Sequence, residues 1–277
     1  MIIDVHVHTR SSGFRYDPDE LALSIRLARR SGIDRVVQLH NLVTGVDDVD
    51  RYNMQNPSPR TVQESNDLAM RIVREHPDFY LGFCYLNPAH DQQFISAEIG
   101  RCVEYGNLCG IKLWVAVHAT DTRLDLLMQR AAELGIPVLH HAWYKADGYA
   151  GNESNASEIA DLARRHPQTT IIMAHLGGVR WRGVLDIKPY PNVVVDTSGA
   201  QPVAGLVEYA VAELGSERVV FGSDWPIRDY AVQKARVAGA NITDQDRARI
   251  LGGNAARLLR LDEALPMSTS AKDRVYA

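Results

Sequence analysis

The stretch Ile2-Ile3-Asp4-Val5-His6-Val7-His8 decides how the rest of the chain is read. It reads as a strand, and side chains on a strand alternate between faces. His6 and His8 therefore share one face, with Ile3, Val5 and Val7 on the other. The two imidazoles stand about 7 Å apart along the backbone and can both turn onto one ion. A divalent metal held by neutral imidazole is the hypothesis this spacing raises. Two histidines hydrogen-bonded inside a core are the plain alternative, and the rest of the chain must decide between them.

The 277 residues are enough for two domains or for one α/β barrel, which typically needs about 250. Hydrophobic residues make up 45% and charged residues 23%, the make-up of a folded protein with a sizeable core. A formal net charge of −4 argues against non-specific nucleic-acid binding. No apolar run approaches the ~20 residues of a membrane span and no signal peptide precedes the first strand, so cytoplasm is the expected compartment. Cys84, Cys102 and Cys109 lack Cys-x-x-Cys spacing and are expected reduced and buried.

Beyond the first strand, short β-branched runs alternate with longer helical periods. Strands are predicted at 2–8, 35–40, 80–86, 111–117, 137–142, 170–176, 193–197 and 218–224. Each is followed by helical sequence: from Asp17-Pro18-Asp19-Glu20 to Ser31-Gly32, then 62–76, 92–105, 123–134, 157–166, 181–187, 203–214, and finally 230–237 with 244–259. A polar loop is expected over 41–60 and a polar tail over 262–277. Eight such units make a single (β/α)8 barrel over 1–277, one domain. A doubly wound sheet would carry a Gly-rich turn after its first strand, and His8-Thr9-Arg10 is not one.

Active sites of such barrels lie at the C-terminal ends of the strands. His6 and His8 end strand one, His40 strand two, His140-His141 strand five, His175 strand six and Asp224 strand eight, while strand four carries Lys112. An apolar interior does not hold several unpaired imidazoles and a carboxylate without a partner, which favours the metal. His118, just after strand four, is a candidate substrate or supporting group. His76 and His166 precede prolines at helix ends, and His90 opens a helix.

These motifs resemble the amidohydrolase superfamily: Val5-His6-Val7-His8, Pro137-Val138-Leu139-His140-His141, Ala174-His175-Leu176-Gly177-Gly178 and Gly222-Ser223-Asp224-Trp225-Pro226. Within it they are similar to the branch that includes aminocarboxymuconate-semialdehyde decarboxylase and related lactone hydrolases. Asn66-Asp67, Gly110-Ile111-Lys112-Leu113, Asp196-Thr197-Ser198-Gly199 and Gly253-Asn254-Ala255-Ala256-Arg257 agree as well. The resemblance implies that His6, His8, a strand-five histidine and Asp224 hold the metal, with His175 beside it as a catalytic group. Neighbours on a strand face opposite ways, so one of His140 and His141 serves; His141 is chosen, following its Pro-apolar-apolar run. One divalent metal is expected, zinc first, with manganese, iron or cobalt as alternatives. A second ion would require Lys112 to be carboxylated; otherwise Lys112 pairs with a substrate carboxylate or sits in an ion pair below the site.

The expected reaction is hydrolysis of a small carboxylated, lactone or amide substrate. The ion lowers the pKa of its water, Asp224 takes the proton, and His175 orients the water or steadies the oxyanion. Non-oxidative decarboxylation of an unsaturated or aromatic acid is the alternative with the same ligand set. Asp4 is expected to orient the ligand imidazoles or to form a buried ion pair. Trp143, Tyr144, Trp181 and Arg228 are the substrate-binding candidates beside Lys112, and Arg51, Tyr52, Arg60, Lys145, Arg180 and Arg182 fall on the same side. Such arginines suit an anionic small molecule, because guanidinium grips carboxylates. A homodimer is expected from the resemblance alone.

Overall fold

Strand β1 (Ile3–Val7) is buried along its whole length in the computed structural model, which describes residues 1–40, 42–44, 53–145 and 151–261. It pairs in parallel with β3 (Arg35–Gln38), and β3 pairs with β5 (Tyr80–Gly82). Only Phe83 separates β5 from β6 (Cys84–Tyr85). Phe83 N donates to Gln38 O and Cys84 N to Gly110 O, so one strand passes its hydrogen bonds from one neighbour to the next. The ladder continues in parallel through β7 (Ile111–Leu113), β8 (Val138–His140), β9 (Ile171–Met173), β10 (Val193–Asp196) and β11 (Val219–Val220). Val5 N donates to Phe221 O, Asp224 N to His6 O and His8 N to Trp225 O, which closes the circle. This is the (β/α)8 barrel that the alternating pattern predicts.

Strand residues divide between two apolar clusters. Val37, Leu139, Ile172, Val194 and Val220 pack with Ile3, Val5 and Phe83 in one of them. Their neighbours Val36, Val138, Ile171, Val193 and Val219 join the larger one. Alternation of strand side chains produces that division, and burial on both sides explains why the strands read as apolar runs. The smaller cluster also takes Ala255, Ala256 and Leu259, so helix α10 (Asn254–Leu258) seals the end of the barrel away from the strand C-termini.

Helix starts follow local chemistry. Asp17 caps α1 (Pro18–Arg30) by accepting from Asp19 N and Glu20 N, and acids and bases sit at the ends the helix dipole favours. Ser58 caps α2 (Pro59–Glu75), which therefore begins inside the expected 41–60 loop. That loop also holds β4 (Leu42–Thr44), a β-branched run that pairs with β2 (Arg10–Ser12) beyond the barrel rim. Helix α3 (Gln92–Ile99) runs into a π turn, Gly100–Glu104, and α4 (Asp125–Leu134) ends on Gly135 in the left-handed region. Asn155 and Glu158 form a capping box on α5 (Ala156–Arg165). Helix α6 (Leu176–Ile187) starts earlier than expected, with a break at Arg180, followed by α7 (Leu206–Leu214), α8 (Tyr230–Ala238) and α9 (Asp244–Ala248). Arg51, Tyr52 and the tail at 262–277 lie outside the described residues. Among those described, no helix is long and apolar enough to cross a membrane. Cys84 and Cys102 are buried and Cys109 is half-buried, all three as free thiols.

The seal depends on Asn254, which is buried and donates from Nδ2 to Ser216 O at 2.7 Å and Val219 O at 2.8 Å. Asn254→Ala is expected to lower stability by about 1–3 kcal/mol, because two buried carbonyls lose their donor. The midpoint of urea unfolding measures it; an unchanged midpoint would refute the role.

Candidate metal centre

The C-terminal ends of the barrel strands surround a cavity of about 220 Å³. Of the residues singled out in the sequence, His6, His8, Lys112, His141, Trp143, His175, Asp224 and Arg228 all line it. His40 and Lys145, which the sequence also placed at this end, line it with Trp114 and Glu153. A wider depression of about 770 Å³ lies on the outer helices near Tyr105 and Leu126. It gathers no set of buried titratable groups, so chemistry rather than volume identifies the site.

Each imidazole is aimed by a bond on its far nitrogen. His6 Nδ1 lies 2.8 Å from Asp196 Oδ2, and a carboxylate can only accept, so Nδ1 carries the hydrogen. His8 Nδ1 donates to His40 O at 2.8 Å. Both Nε2 atoms then present lone pairs to Asp224 Oδ1, at 3.4 Å from His6 and 3.5 Å from His8. These three ligand atoms lie within 4.8 Å of one another. His6 Nε2 is buried without any hydrogen-bond partner.

His141 and His175 complete the arrangement. His141 Nε2 donates to Glu153 Oε1 at 2.6 Å, leaving Nδ1 as an acceptor. Ser198 Oγ donates to Asp196 Oδ1 at 2.5 Å and therefore accepts from His175 Nδ1 at 2.8 Å, leaving His175 Nε2 as an acceptor. Those two bare lone pairs face each other across 3.0 Å. Two acceptors at that distance need a proton or a cation between or beside them. The orphaned His6 nitrogen and this opposed pair fit a divalent cation, and the donor set of imidazole nitrogens and one carboxylate suits it.

The electrostatics agree. Burial pushes His6 and His175 well below the usual imidazole range; the charge of Lys112 reinforces this at His6, and the neighbouring His141 does so at His175. His141 is also lowered by burial, against the pull of Glu153. Neutral imidazole is the form that ligates. Burial alone would raise Asp224, but the facing His8 and His6 rings and the Lys112 ammonium outweigh it and hold this carboxyl below its ordinary range. Burial pushes Lys112 down to about 8 against the attraction of Asp224 and Asp196.

Two of these side chains sit on backbone that resists them. His175 has φ 72° and Asp224 φ 67°, left-handed values uncommon outside glycine. Glycines make room nearby: a Cβ on Gly199 would stand 2.7 Å from His175 Cβ, and one on Gly222 would stand 3.0 Å from His6 Cβ.

Several expectations are corrected. Tyr144 does not line the cavity; it follows Trp143 by one residue, turns away, and donates to Asp186 Oδ2 at 2.5 Å. Trp181 packs edge-on against Tyr209 at 5.0 Å, on the outer face shared by α6 and α7. His118 is half exposed and pairs with Glu158. Asp4 accepts from the backbone N–H groups of His6 and Ser223, because the register of β1 slips between Asp4 and Val7 and breaks the assumed alternation. The orienting carboxylates are Asp196 and Glu153, neither of which was given a role in the sequence. An acid ending the apolar run Val193-Val194-Val195 was the available signal for Asp196. Of the strand-five pair, His141 enters the cavity, whereas His140 does not line it and binds His141 O through Nδ1 at 2.7 Å.

Comparison with known proteins agrees with this geometry. Residues 3–261 match the family model described as Amidohydro_2, an amidohydrolase. A gamma-resorcylate decarboxylase from Polaromonas sp. (strain JS666) is 23% identical over 290 residues, covering 86% of this chain and 86% of that protein. An L-fucono-1,5-lactonase from Burkholderia multivorans is 25% identical over 162 residues, covering 44% of this chain and 55% of that protein. The crystal structure of a dihydroxybenzoic acid decarboxylase from Polaromonas sp. JS666, with bound manganese and the inhibitor 2-nitroresorcinol, superposes with a TM-score of 0.71 at 20% identity. That superposition covers 95% of this chain and 98% of the other. Fold, strand-end donors and the matched span agree: the chain belongs to the amidohydrolase superfamily, in its Amidohydro_2 branch.

Proposed function

We propose that the chain is a metal-dependent carboxy-lyase that removes CO2 from a small hydroxylated aromatic acid. One observation carries the reading. Lys112 is buried, lines the cavity and has no hydrogen-bond partner among the described residues, so a cation waits inside a small site for an anion. An anionic substrate meets that charge in either chemistry, and the similar decarboxylases favour removal of CO2 over hydrolysis. This reverses the order expected from the motifs, which put hydrolysis first. The relative matched over 86% of the chain is a decarboxylase, and the lactonase match, which favours hydrolysis, covers 44%. A volume of about 220 Å³, below the roughly 300–1,000 Å³ of common ligand sites, suits an acid the size of a single ring.

His6, His8, His141 and Asp224 hold one divalent cation in this reading, with manganese taking the place of zinc as the first ion to test, because the similar Polaromonas structure holds it. The cation supplies charge to fix and polarise the anionic oxygens of the substrate. Lys112 pairs with the same anion from the side of β7, and Trp114 and Trp143 supply flat apolar wall. His175 gives a proton from Nε2 to the ring carbon that bears the carboxylate. The C–CO2 bond then breaks and its electron pair returns to the ring. Burial and the neighbouring imidazoles disfavour charged His175, so its protonated ring is a strong acid. The proton is replenished from solvent, and each turnover consumes one.

The metal-loaded protein is expected to release CO2 from 2,6-dihydroxybenzoate, followed as labelled bicarbonate. Ring opening of a lactone panel without CO2 would overturn the proposal in favour of hydrolysis. His6→Ala, His141→Ala and Asp224→Asn should each lose most bound metal by elemental analysis, while His140→Ala keeps it. Retention by His141→Ala with loss in His140→Ala would reverse the strand-five assignment. His175→Gln should keep its metal and lose roughly 10²–10⁴ in turnover. Lys112 is charged below about pH 8 and discharges above it, so affinity for the acid should fall as pH rises through that region. Lys112→Met should weaken binding and flatten the profile.

A further inference from the structure

Four of the five histidines lining the cavity commit a ring nitrogen to the protein: His6 to Asp196, His8 to a backbone carbonyl, His141 to Glu153 and His175 to Ser198. His40 commits neither. Its Nδ1 and Nε2 are both buried and both lack a hydrogen-bond partner among the described residues, although the residue lines the cavity.

The ring is also held in place. It stacks on Tyr85 at 4.8 Å with a 29° interplanar angle and on Trp114 at 4.9 Å with 26°. Its third contact is with His8, ring to ring, at 4.4 Å and 65°. Tyr85 is itself pinned, donating from its hydroxyl to Met54 O at 2.5 Å and from its backbone N–H to Asn66 Oδ1 at 2.8 Å. A ring gripped on these sides cannot swing out to find a partner. If the position needed only a flat filler, an apolar aromatic ring would stack equally well without leaving two buried polar atoms bare, which is costly until a partner arrives. Lys112, which also has no hydrogen-bond partner among the described residues, lines the same cavity two residues before Trp114, which follows β7.

We propose that His40 is the specificity-determining residue of the cavity, recognising a ring hydroxyl of the substrate through a nitrogen that no group among the described residues satisfies. The inference rests on the hydroxylated aromatic acid read above. It adds a discrimination: an acid with the hydroxyl completes a buried hydrogen bond, whereas one without it leaves the imidazole bare. Sites built to bind a hydroxyl reject analogues lacking it far more strongly than apolar pockets reject a missing methylene.

The test compares manganese-loaded wild type, His40→Phe and His40→Gln by titration calorimetry with 2,6-dihydroxybenzoate and 2-hydroxybenzoate. Metal content is measured in each. Phenylalanine keeps a flat ring for the stack and removes both nitrogens; glutamine restores a polar group. Wild type is expected to bind the dihydroxy acid at least roughly tenfold more tightly than the monohydroxy acid. His40→Phe should lose that preference with its metal retained, and His40→Gln should recover part of it. If His40→Phe does not fold, a preference in His40→Gln that is reduced from wild type supports the proposal and full retention overturns it. An unchanged preference in His40→Phe overturns it, as does loss of metal, which would make His40 a support for His8. Wild type that holds manganese but binds neither acid overturns the substrate class and this inference with it. Binding and CO2 release by wild type with an unaltered His40→Phe preference overturns the inference alone.

Discussion

A buried carboxylate at the end of β10 sets the positions of the groups around it. Asp196 accepts from His6 Nδ1, from the backbone N–H groups of His175 and Ser198, and from Ser198 Oγ. It is fully buried, and a carboxylate in that position is tolerated only when fixed donors surround it. Those donors come from β1, from the turn after β9 and from the turn after β10. One acceptor thus fixes the tautomer of His6, the backbone of His175 and, through Ser198, the ring of His175. Glu153 does the same for His141 from the opposite side.

This ordering has an electrostatic reason. The cavity collects imidazoles, carboxylates and a lysine in a place where water is scarce, and burial disfavours every charge there. Burial favours the neutral form of His6, His141 and His175, while the facing rings and the Lys112 ammonium hold the Asp224 carboxyl below its ordinary range. Neutral donors around one anionic ligand leave the site receptive to a divalent cation. His175 and Asp224 sit on left-handed backbone, and Gly199 beside His175 and Gly222 beside His6 leave space where a Cβ would collide. His40, Lys112, Trp114 and Trp143 form the remaining wall of the cavity.

That separation explains how one scaffold serves different reactions. A cation held by the donor set would polarise an anionic or carbonyl oxygen in either chemistry, so the donor set does not select between them. Selection falls to the side chains around it, and in this chain they include a buried cation and a stacked imidazole. Fold likeness by itself carries no substrate, so the argument rests on those named groups.

Much of this was legible in the chain. Period-two and helical patterns place eight strands with helices between them, and a barrel puts the strand C-termini at one mouth. His6, His8, His141, His175 and Asp224 could be picked out on that basis, because ligand residue types at strand ends are visible in one dimension. The alternation rule also set His141 against His140. The rule failed at Asp4, where the slipped register of β1 is a property of pairing with β3 and cannot be read from β1 alone. Tyr144 and Trp181 were misplaced because a loop residue takes its direction from the partner it packs against, here Asp186 and Tyr209. Asp196, Glu153 and His40 acquire their parts only in three dimensions. The sequence by itself determined the barrel and the donor residue types, since both follow from local periodicity and chemistry. Only the tertiary structure decided which nitrogen each imidazole presents and which polar atoms stay bare, since those depend on contacts between residues as far apart as His6 and Asp196.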